Sequence, residues 1–289
     1  MSEQKNKKMV LACIDGSQFS QAVCDYAVWI AKAVSAPLKL LHTIEHSKTA
    51  AVADLTGAIG LGASEDLLNE LTQVEQERSR LLIKKGNAML LAAKEKALSH
   101  GVEEVQTRQR HGALAETLIE LEDQIGALVL GIQGENHEQD QAGIGAQLET
   151  TIRALHKPIL VVNKEFSIPK QIMLAYDGSD ACKKALLMVA ESPLFESIPC
   201  HIVHVSESKD QAQELLASAK ETLLHYGREV MTAHLPGMIE ESLATYQAEH
   251  NIDLMLMGAF SHNRFRDFLL GSFTAKMLQS TQKPLLLLR

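Results

Sequence analysis

The chain is poor in the residues that mark several common protein classes. Its 289 residues include 4 cysteines and 7 prolines, and aromatic residues make up 4%. No CxxC pair occurs, and a chain of this size does not need a disulfide framework, so we predict reduced, mostly buried cysteines. No stretch approaches the roughly 20 apolar residues that a membrane-spanning helix needs. The polar start MSEQKNKK lacks the apolar core of a signal peptide, so we expect a cytoplasmic protein.

Positive charge is also scarce, and several catalytic patterns are missing. Lys and Arg number 28 against 36 Asp and Glu, giving a net charge of −8, which disfavours a dedicated nucleic-acid binder. No GxxxxGK[ST] loop is present, which argues against a P-loop ATPase, and no HExxH cluster suggests a metal. No dedicated catalytic base is visible. The only enzymatic activity that we would expect of this chain is slow hydrolysis of ATP.

What the chain does contain is one βαβ pattern twice. Asp15-Gly16-Ser17 recurs as Asp177-Gly178-Ser179 at an offset of 162, and His42 recurs as His204 at the same offset. Each half ends in a Lys-Pro-apolar segment, KPILVV from Lys157 and KPLLLL from Lys283. We interpret Ser17 and Ser179 as helix N-caps and the two histidines as hydrogen-bonded core residues. The sequence therefore predicts a duplicated α/β domain.

Apolar strand patterns alternate with helical patterns in both halves, which indicates a parallel sheet with helices on both faces. We predict a first domain over residues 1–163 and a second over 170–289. The offset falls from 162 at His42/His204 to 127 at Gly131/Gly258, so the first domain carries 35 additional residues, mostly after its second strand near 45–75. This excess is either a mobile lid or partner-binding arm, or a longer helix pair that covers the sheet.

The loop after the fourth strand of the second half has the small residues of an anion cradle. Gly258 ends the strand, and Ser261 follows after two intervening residues. Gly271-Ser272 precedes a helix whose N-terminus attracts negative charge. Ligands of parallel sheets bind beyond the carboxyl ends of the strands, where the strand order reverses. We expect Asp177 to accept a ribose hydroxyl there and the backbone around Val205 to meet a base edge. A tight turn that merely needs glycine is the alternative explanation.

With these residues the whole chain resembles the universal stress protein family in its tandem form. The family's nucleotide pattern is Gly-x2-Gly-x9-Gly-Ser/Thr, with an Asp ending the first strand. The second half matches at Asp177, Gly258, Gly271 and Ser272 and departs at Ser261, which replaces a glycine.

The first half matches the family pattern less well. Gly131 and Gly134 are in place, but Ile144 stands where the third glycine is expected, and Gly145 comes one residue late. The loop between, ENHEQDQAG, is acidic, whereas HNRFRDFLL in the second half carries two arginines. We therefore expect nucleotide to bind the second half, and to bind the first half poorly or not at all.

The resemblance implies that each half is a doubly wound, five-stranded parallel sheet of order 3-2-1-4-5. It also implies an intrachain pseudo-dimer, KPILVV against KPLLLL, which would cover two apolar edges. Its expected ligand is an adenine nucleotide, most plausibly ATP with or without Mg²⁺, in a stress-response regulatory protein. A homodimer is a further option, with the long insert as a candidate surface. The alternative function is a scaffold that binds no nucleotide and whose insert binds a partner protein.

Overall fold

The computed structural model describes residues 8–44, 61–134, 146–258 and 272–288. Ten strands and eight α-helices alternate along this part of the chain. The strands of the first half are β1 (Met9–Cys13), β2 (Leu38–Ile44), β3 (Val105–His111), β4 (Ile125–Gly131) and β5 (Ile159–Val162). Those of the second half are β6 (Ile172–Ala175), β7 (Cys200–Val205), β8 (Val230–Leu235), β9 (Leu254–Gly258) and β10 (Leu285–Leu288).

The helices follow the strands in the order that the apolar patterns predict. They are α1 (Ser20–Ala33), α2 (Leu61–Ser99), α3 (Leu114–Leu121), α4 (Ala146–Ala154), α5 (Asp180–Glu191), α6 (Lys209–His225), α7 (Ile239–Glu249) and α8 (Ser272–Ser280). Single 3-10 turns occupy Glu122–Gln124 and Pro193–Phe195. The structure describes no helix that is both long and apolar enough to cross a membrane.

All ten strands form one sheet in the order β3-β2-β1-β4-β5-β10-β9-β6-β7-β8. Within each half the pairing is parallel and follows the predicted order 3-2-1-4-5, so that prediction is confirmed. The halves meet where β5 and β10 pair antiparallel, with Leu286 opposite Leu160. The side chain of Asn163 adds a hydrogen bond to the Thr281 carbonyl at 2.8 Å. The predicted contact between the two Lys-Pro-apolar segments is therefore present, and it leaves neither apolar edge open.

Side chains alternate between the two faces of this sheet, and each face has its own core. Val10 and Ala12 belong to the core under α1, α2, α5 and α6, whereas Met9 and Leu11 belong to the core under α3, α4, α7 and α8. Each core continues across the β5–β10 joint, because both contain residues of both halves. Burying one Leu side chain contributes about 1.5–3 kcal/mol, so the joint is stabilised by packing as well as by backbone pairing.

Two local features of the helices bear on the predictions. Ser179 caps α5, since its hydroxyl accepts the Cys182 N–H at 3.3 Å. The prediction that Ser17 caps α1 is wrong: α1 begins at Ser20, and Phe19 stands at the N-cap position without a side-chain hydrogen bond.

The 35 additional residues of the first half fall partly in α2, which runs unbroken for 39 residues. Its counterpart α6 has 17 residues. Residues 45–60, where the rest of a helix pair or an arm would lie, are outside the described residues.

All four cysteines lie in the described part, and each is a free thiol, as predicted. Burial raises the pKa of Cys24 to about 11 and that of Cys200 to about 12. These thiols therefore stay protonated near neutral pH and act as small apolar residues of the core.

Away from the strand ends, His201 forms a buried polar contact beneath the second half of the sheet. Its Nδ1 lies 2.9 Å from the Tyr246 hydroxyl and its Nε2 lies 2.9 Å from Gln171 Oε1. Burial lowers the pKa of His201, and the neighbouring His250 lowers it further. A neutral ring satisfies both partners, because one nitrogen donates to the amide oxygen and the other accepts from the hydroxyl.

Candidate functional site

The candidate site of the second half lies at the carboxyl edge of β6, β7 and β9. β6 pairs with β9 through Ala175 opposite Met257, and with β7 through Ala175 opposite Val203. Asp177 lies two residues after the end of β6, Val205 ends β7 and Gly258 ends β9. The chain places β7 and β8 on one side of β6 and then β9 and β10 on the other. The strand order therefore reverses at β6, and this edge of the sheet is the expected ligand site. The structure thus brings three of the predicted site residues to one crevice.

The other three predicted site residues follow Gly258 in the sequence. Ser261 and Gly271 lie outside the described residues. Ser272 is the first residue of α8, so this helix begins immediately after Gly271.

The turn that carries Asp177 is tightly built. Asp177 Oδ1 accepts the N–H of Ser179 at 2.9 Å, which fixes the carboxylate at the start of α5. Gly178 has a φ of +76°, and a Cβ there would lie 2.7 Å from Leu215 Cδ1 of α6. Glycine is needed at this position for both its backbone conformation and its lack of a side chain.

Gly258, at the end of β9, lies close to the first turn of α5. A Cβ at this position would lie 3.0 Å from the Ala181 Cβ and 3.4 Å from the Cys182 Sγ. Gly258 therefore lets the strand end pass against the first turn of α5, where the N–H groups of a helix start point outward. A phosphate-binding loop needs a small residue at this place, because backbone N–H groups must come close to the phosphate oxygens.

The β7 side of the crevice is held by histidines. His204 Nδ1 donates to the Tyr176 carbonyl at 2.7 Å, and the equivalent His42 Nδ1 donates to the Ile14 carbonyl at 2.8 Å. Both rings therefore tie the end of the second strand to the backbone just before the Asp, which confirms the predicted structural role. His234 of β8 stacks near His204 with centroids 6.3 Å apart and contacts the Ser206 carbonyl at 2.7 Å.

The corresponding crevice of the first half differs at its Asp. Asp15 Oδ1 accepts the Ser17 N–H and the Ser20 hydroxyl, both at 3.0 Å. A Cβ at Gly134 would lie 3.0 Å from Asp15 Oδ2, so the loop after β4 approaches the second oxygen. Asp15 therefore accepts two hydrogen bonds from its own chain through Oδ1.

Two residue exchanges at the offset of 162 account for much of this difference. Ser20 corresponds to Cys182, whose thiol hydrogen-bonds the Ala175 carbonyl at 3.4 Å. Burial raises the pKa of Cys182, so this position offers Asp177 a weak S–H donor at most. Phe19 corresponds to Ala181, and a Cβ at Gly131 would lie 3.1 Å from the Phe19 Cβ. The first crevice thus carries a phenyl group where the second carries a methyl group.

Sequence reasoning missed these two exchanges. The repeat aligned Phe19 with Ala181 and Ser20 with Cys182, but nothing in the pattern said that these residues contact the Asp and the glycine of the fourth strand. The loops that sequence reasoning did compare, with Ile144 and Gly145 in one and Arg264 and Arg266 in the other, lie outside the described residues.

Comparisons with a family model and with known proteins indicate the same family. The model of the Universal stress protein family matches residues 7–163 and 206–289. Universal stress protein Slr1230 from Synechocystis sp. is 36% identical over 286 residues, which cover 98% of this chain and all of the relative.

Solved structures share the fold over nearly the whole length. A universal stress protein from Archaeoglobus fulgidus DSM 4304 aligns with a TM-score of 0.72 at 17% identity, covering 98% of this chain and 96% of its own. The functionally unknown protein PA1789 from Pseudomonas aeruginosa PAO1 aligns with a TM-score of 0.61 at 14% identity, covering 98% and 92%.

Proposed function

Since the chain belongs to the universal stress protein family, we propose that it is a cytoplasmic stress-response regulatory protein that binds one adenine nucleotide, ATP, through its second half. The observation that carries this proposal is the crevice where Asp177 and Gly258 lie at the ends of neighbouring strands, with α8 beginning at Ser272. The domain boundary that the proposal assumes lies between residues 163 and 170.

The residues present suit a nucleotide in three ways. The Asp177 carboxylate is an acceptor suited to ribose hydroxyls, and the Ser179 N–H holds it at the start of α5. Gly258 allows the end of β9 to lie against the first turn of α5, which is the positive end of that helix. Ser261, Gly271 and Ser272 would add backbone N–H groups and a hydroxyl, with the positive end of α8 behind them. Mg²⁺ would be held mainly by the phosphates, because the structure describes no cluster of three His, Cys, Asp or Glu side chains able to hold a metal.

The first half supports binding less well. Its Asp15 already accepts from Ser20 and Ser17, so a ribose would have to displace a hydroxyl hydrogen bond. Phe19 narrows the space beside Gly131. Together with the acidic loop that follows Gly134, these contacts favour a single occupied site in each chain.

Calorimetric titration of the nucleotide-free chain tests the proposal. Unfolding and refolding, or exhaustive dialysis, removes any bound nucleotide, and ATP, ADP, AMP and cyclic AMP are then titrated with and without Mg²⁺. We expect saturable binding of ATP at one molecule per chain. GTP under the same conditions is the control for base selectivity, and a titration with no heat and no thermal stabilisation for any nucleotide would reject the proposal.

The alternative is a scaffold that binds no nucleotide and recruits a partner protein through the insert. Ser261 in place of glycine and the exposed apolar residues of α2 favour it. The same titration separates the two functions, because the scaffold predicts no response to any nucleotide.

A further inference from the structure

The N-terminal part of α2 extends beyond the domain that it belongs to. The C-terminal part packs on the sheet through Gly86, Leu90 and Ala97, which are buried. Over residues 69–85 only Leu71, Ser79 and Leu82 are even half-buried, and all other side chains are exposed. We call residues 61–85 the α2 arm. At 1.5 Å per residue it is about 37 Å long.

This arm has an apolar stripe that the domain does not cover. Val74 is 59% exposed and Leu81 is 67% exposed. With Leu71, Arg78 and Lys85 they recur at alternating steps of three and four residues, which is the spacing of a coiled-coil seam. Helices in proteins are stabilised mainly by packing of an amphipathic face, so a second helix along this stripe would stabilise the arm.

Charge along the arm is divided into two blocks. Residues 65–77 contain five acidic side chains and no Lys or Arg, and residues 78–85 contain four basic side chains and no Asp or Glu. Two copies side by side in parallel would set like charges against each other. Two copies in antiparallel orientation, related by a two-fold axis near Glu77, would set each acidic block against a basic block.

We propose that the α2 arm pairs with the α2 arm of a second copy of this chain as an antiparallel coiled coil, and that the protein is a homodimer through this contact. In that arrangement Leu71 packs against the partner subunit's Leu81, and Glu70 faces the partner subunit's Lys84. Arg78 and Lys85 lie in the seam, where polar residues fix register and orientation at some cost in stability. The occupant is a second copy because the arm is complementary to itself.

Molar mass in solution tests this inference, measured by light scattering after size-exclusion chromatography and by sedimentation equilibrium. We expect twice the chain mass of 31.7 kDa. Raising the salt from about 0.05 M to 0.5 M should weaken the dimer, since exposed charges are screened. Leu81→Glu should shift the protein to monomer, whereas Leu224→Glu, at a 52% exposed position of α6, should leave the dimer intact.

A charge exchange tests whether the two charge blocks hold the arms together. One variant carries Glu70→Lys, Glu75→Lys and Glu77→Lys, and the other carries Arg78→Glu, Arg80→Glu and Lys84→Glu. Each alone should be monomeric with an unchanged melting temperature for the core, and an equimolar mixture should form a heterodimer.

Three results would overturn the inference. A monomeric wild-type chain at every salt concentration would show that the arm has no second copy. A dimer that persists in both charge variants would place the interface elsewhere, for example at a sheet edge. Monomeric variants that do not associate when mixed would mean that another occupant, such as residues 45–60 of the same chain, covers the stripe.

Discussion

Truncating Asp177 to alanine should weaken ATP binding about 10- to 150-fold, whereas Asp15→Ala should leave the affinity unchanged. A hydrogen bond to a charged group contributes about 1.5–3 kcal/mol, and each 1.4 kcal/mol is a factor of about ten in Kd. Asp177 lies at the strand ends of the proposed site, where its carboxylate would accept a hydrogen bond from a ribose hydroxyl. Asp15 is engaged by Ser17 and Ser20 and belongs to a crevice narrowed by Phe19.

The two substitutions remove the same kind of backbone hydrogen bond, which makes the pair a controlled test. Asp177→Ala removes the hydrogen bond from the Ser179 N–H at 2.9 Å, and Asp15→Ala removes that from the Ser17 N–H at 3.0 Å. Each lost backbone contact costs on the order of 1 kcal/mol of unfolding free energy. Asp15→Ala also removes the Ser20 contact, so it is the more disruptive change and yet should not affect binding.

The assay is calorimetric titration of ATP with Mg²⁺ into each full-length variant, with thermal melts to confirm folding. Asp177→Asn adds a graded step: it keeps an acceptor oxygen but loses the charge, so its loss should be smaller than that of alanine. Equal losses at Asp15 and Asp177, or a larger loss at Asp15, would refute the asymmetry between the halves.

Three further predictions concern the fold. Gly178→Ala should lower the unfolding free energy by about 2–4 kcal/mol in urea, because positive φ and the clash with α6 add. Gly227→Ala, also at positive φ but with no atom within 4 Å of the new Cβ, should cost only about 1 kcal/mol and is the control. Stability should fall with decreasing pH below about 6.5: His201 has a lowered pKa in the folded state, so the unfolded chain binds more protons there. His201→Gln should flatten this pH dependence, and an equally steep profile in the variant would assign it to other groups. Cys24 and Cys200 should not react with a thiol reagent at pH 8 until the protein is denatured; rapid reaction of both in the native state would contradict their burial.

The strands were the best predicted part of the fold, for a physical reason. β5 and β10 lie in the two Lys-Pro-apolar segments that the sequence analysis names, because each is a short, fully buried apolar run that starts just after a proline. The strand order and the antiparallel joint between the halves came from the family resemblance, since apolar runs carry no information on which strands pair.

The candidate site was predicted in part. Spacing from the strand ends located Asp177, Val205 and Gly258 correctly at one edge, because parallel strands bring their carboxyl ends together. The capping role of Ser17 was wrong because Ser20, three residues later, takes the hydrogen bonds of the Asp15 turn and the helix starts there. The contacts of Phe19 and Cys182 depend on distances between elements far apart in sequence, which the repeat alone does not contain.

The nucleotide content of the protein as purified, with no ligand added, tests most directly whether the second half binds a nucleotide. The protein is denatured, and any released nucleotide is identified by mass spectrometry and quantified per chain. We predict about one adenine nucleotide per chain, which is lost in the Asp177→Ala variant and retained in the Asp15→Ala variant. No nucleotide, followed by no calorimetric response to millimolar ATP with Mg²⁺, would contradict it and leave the scaffold as the function.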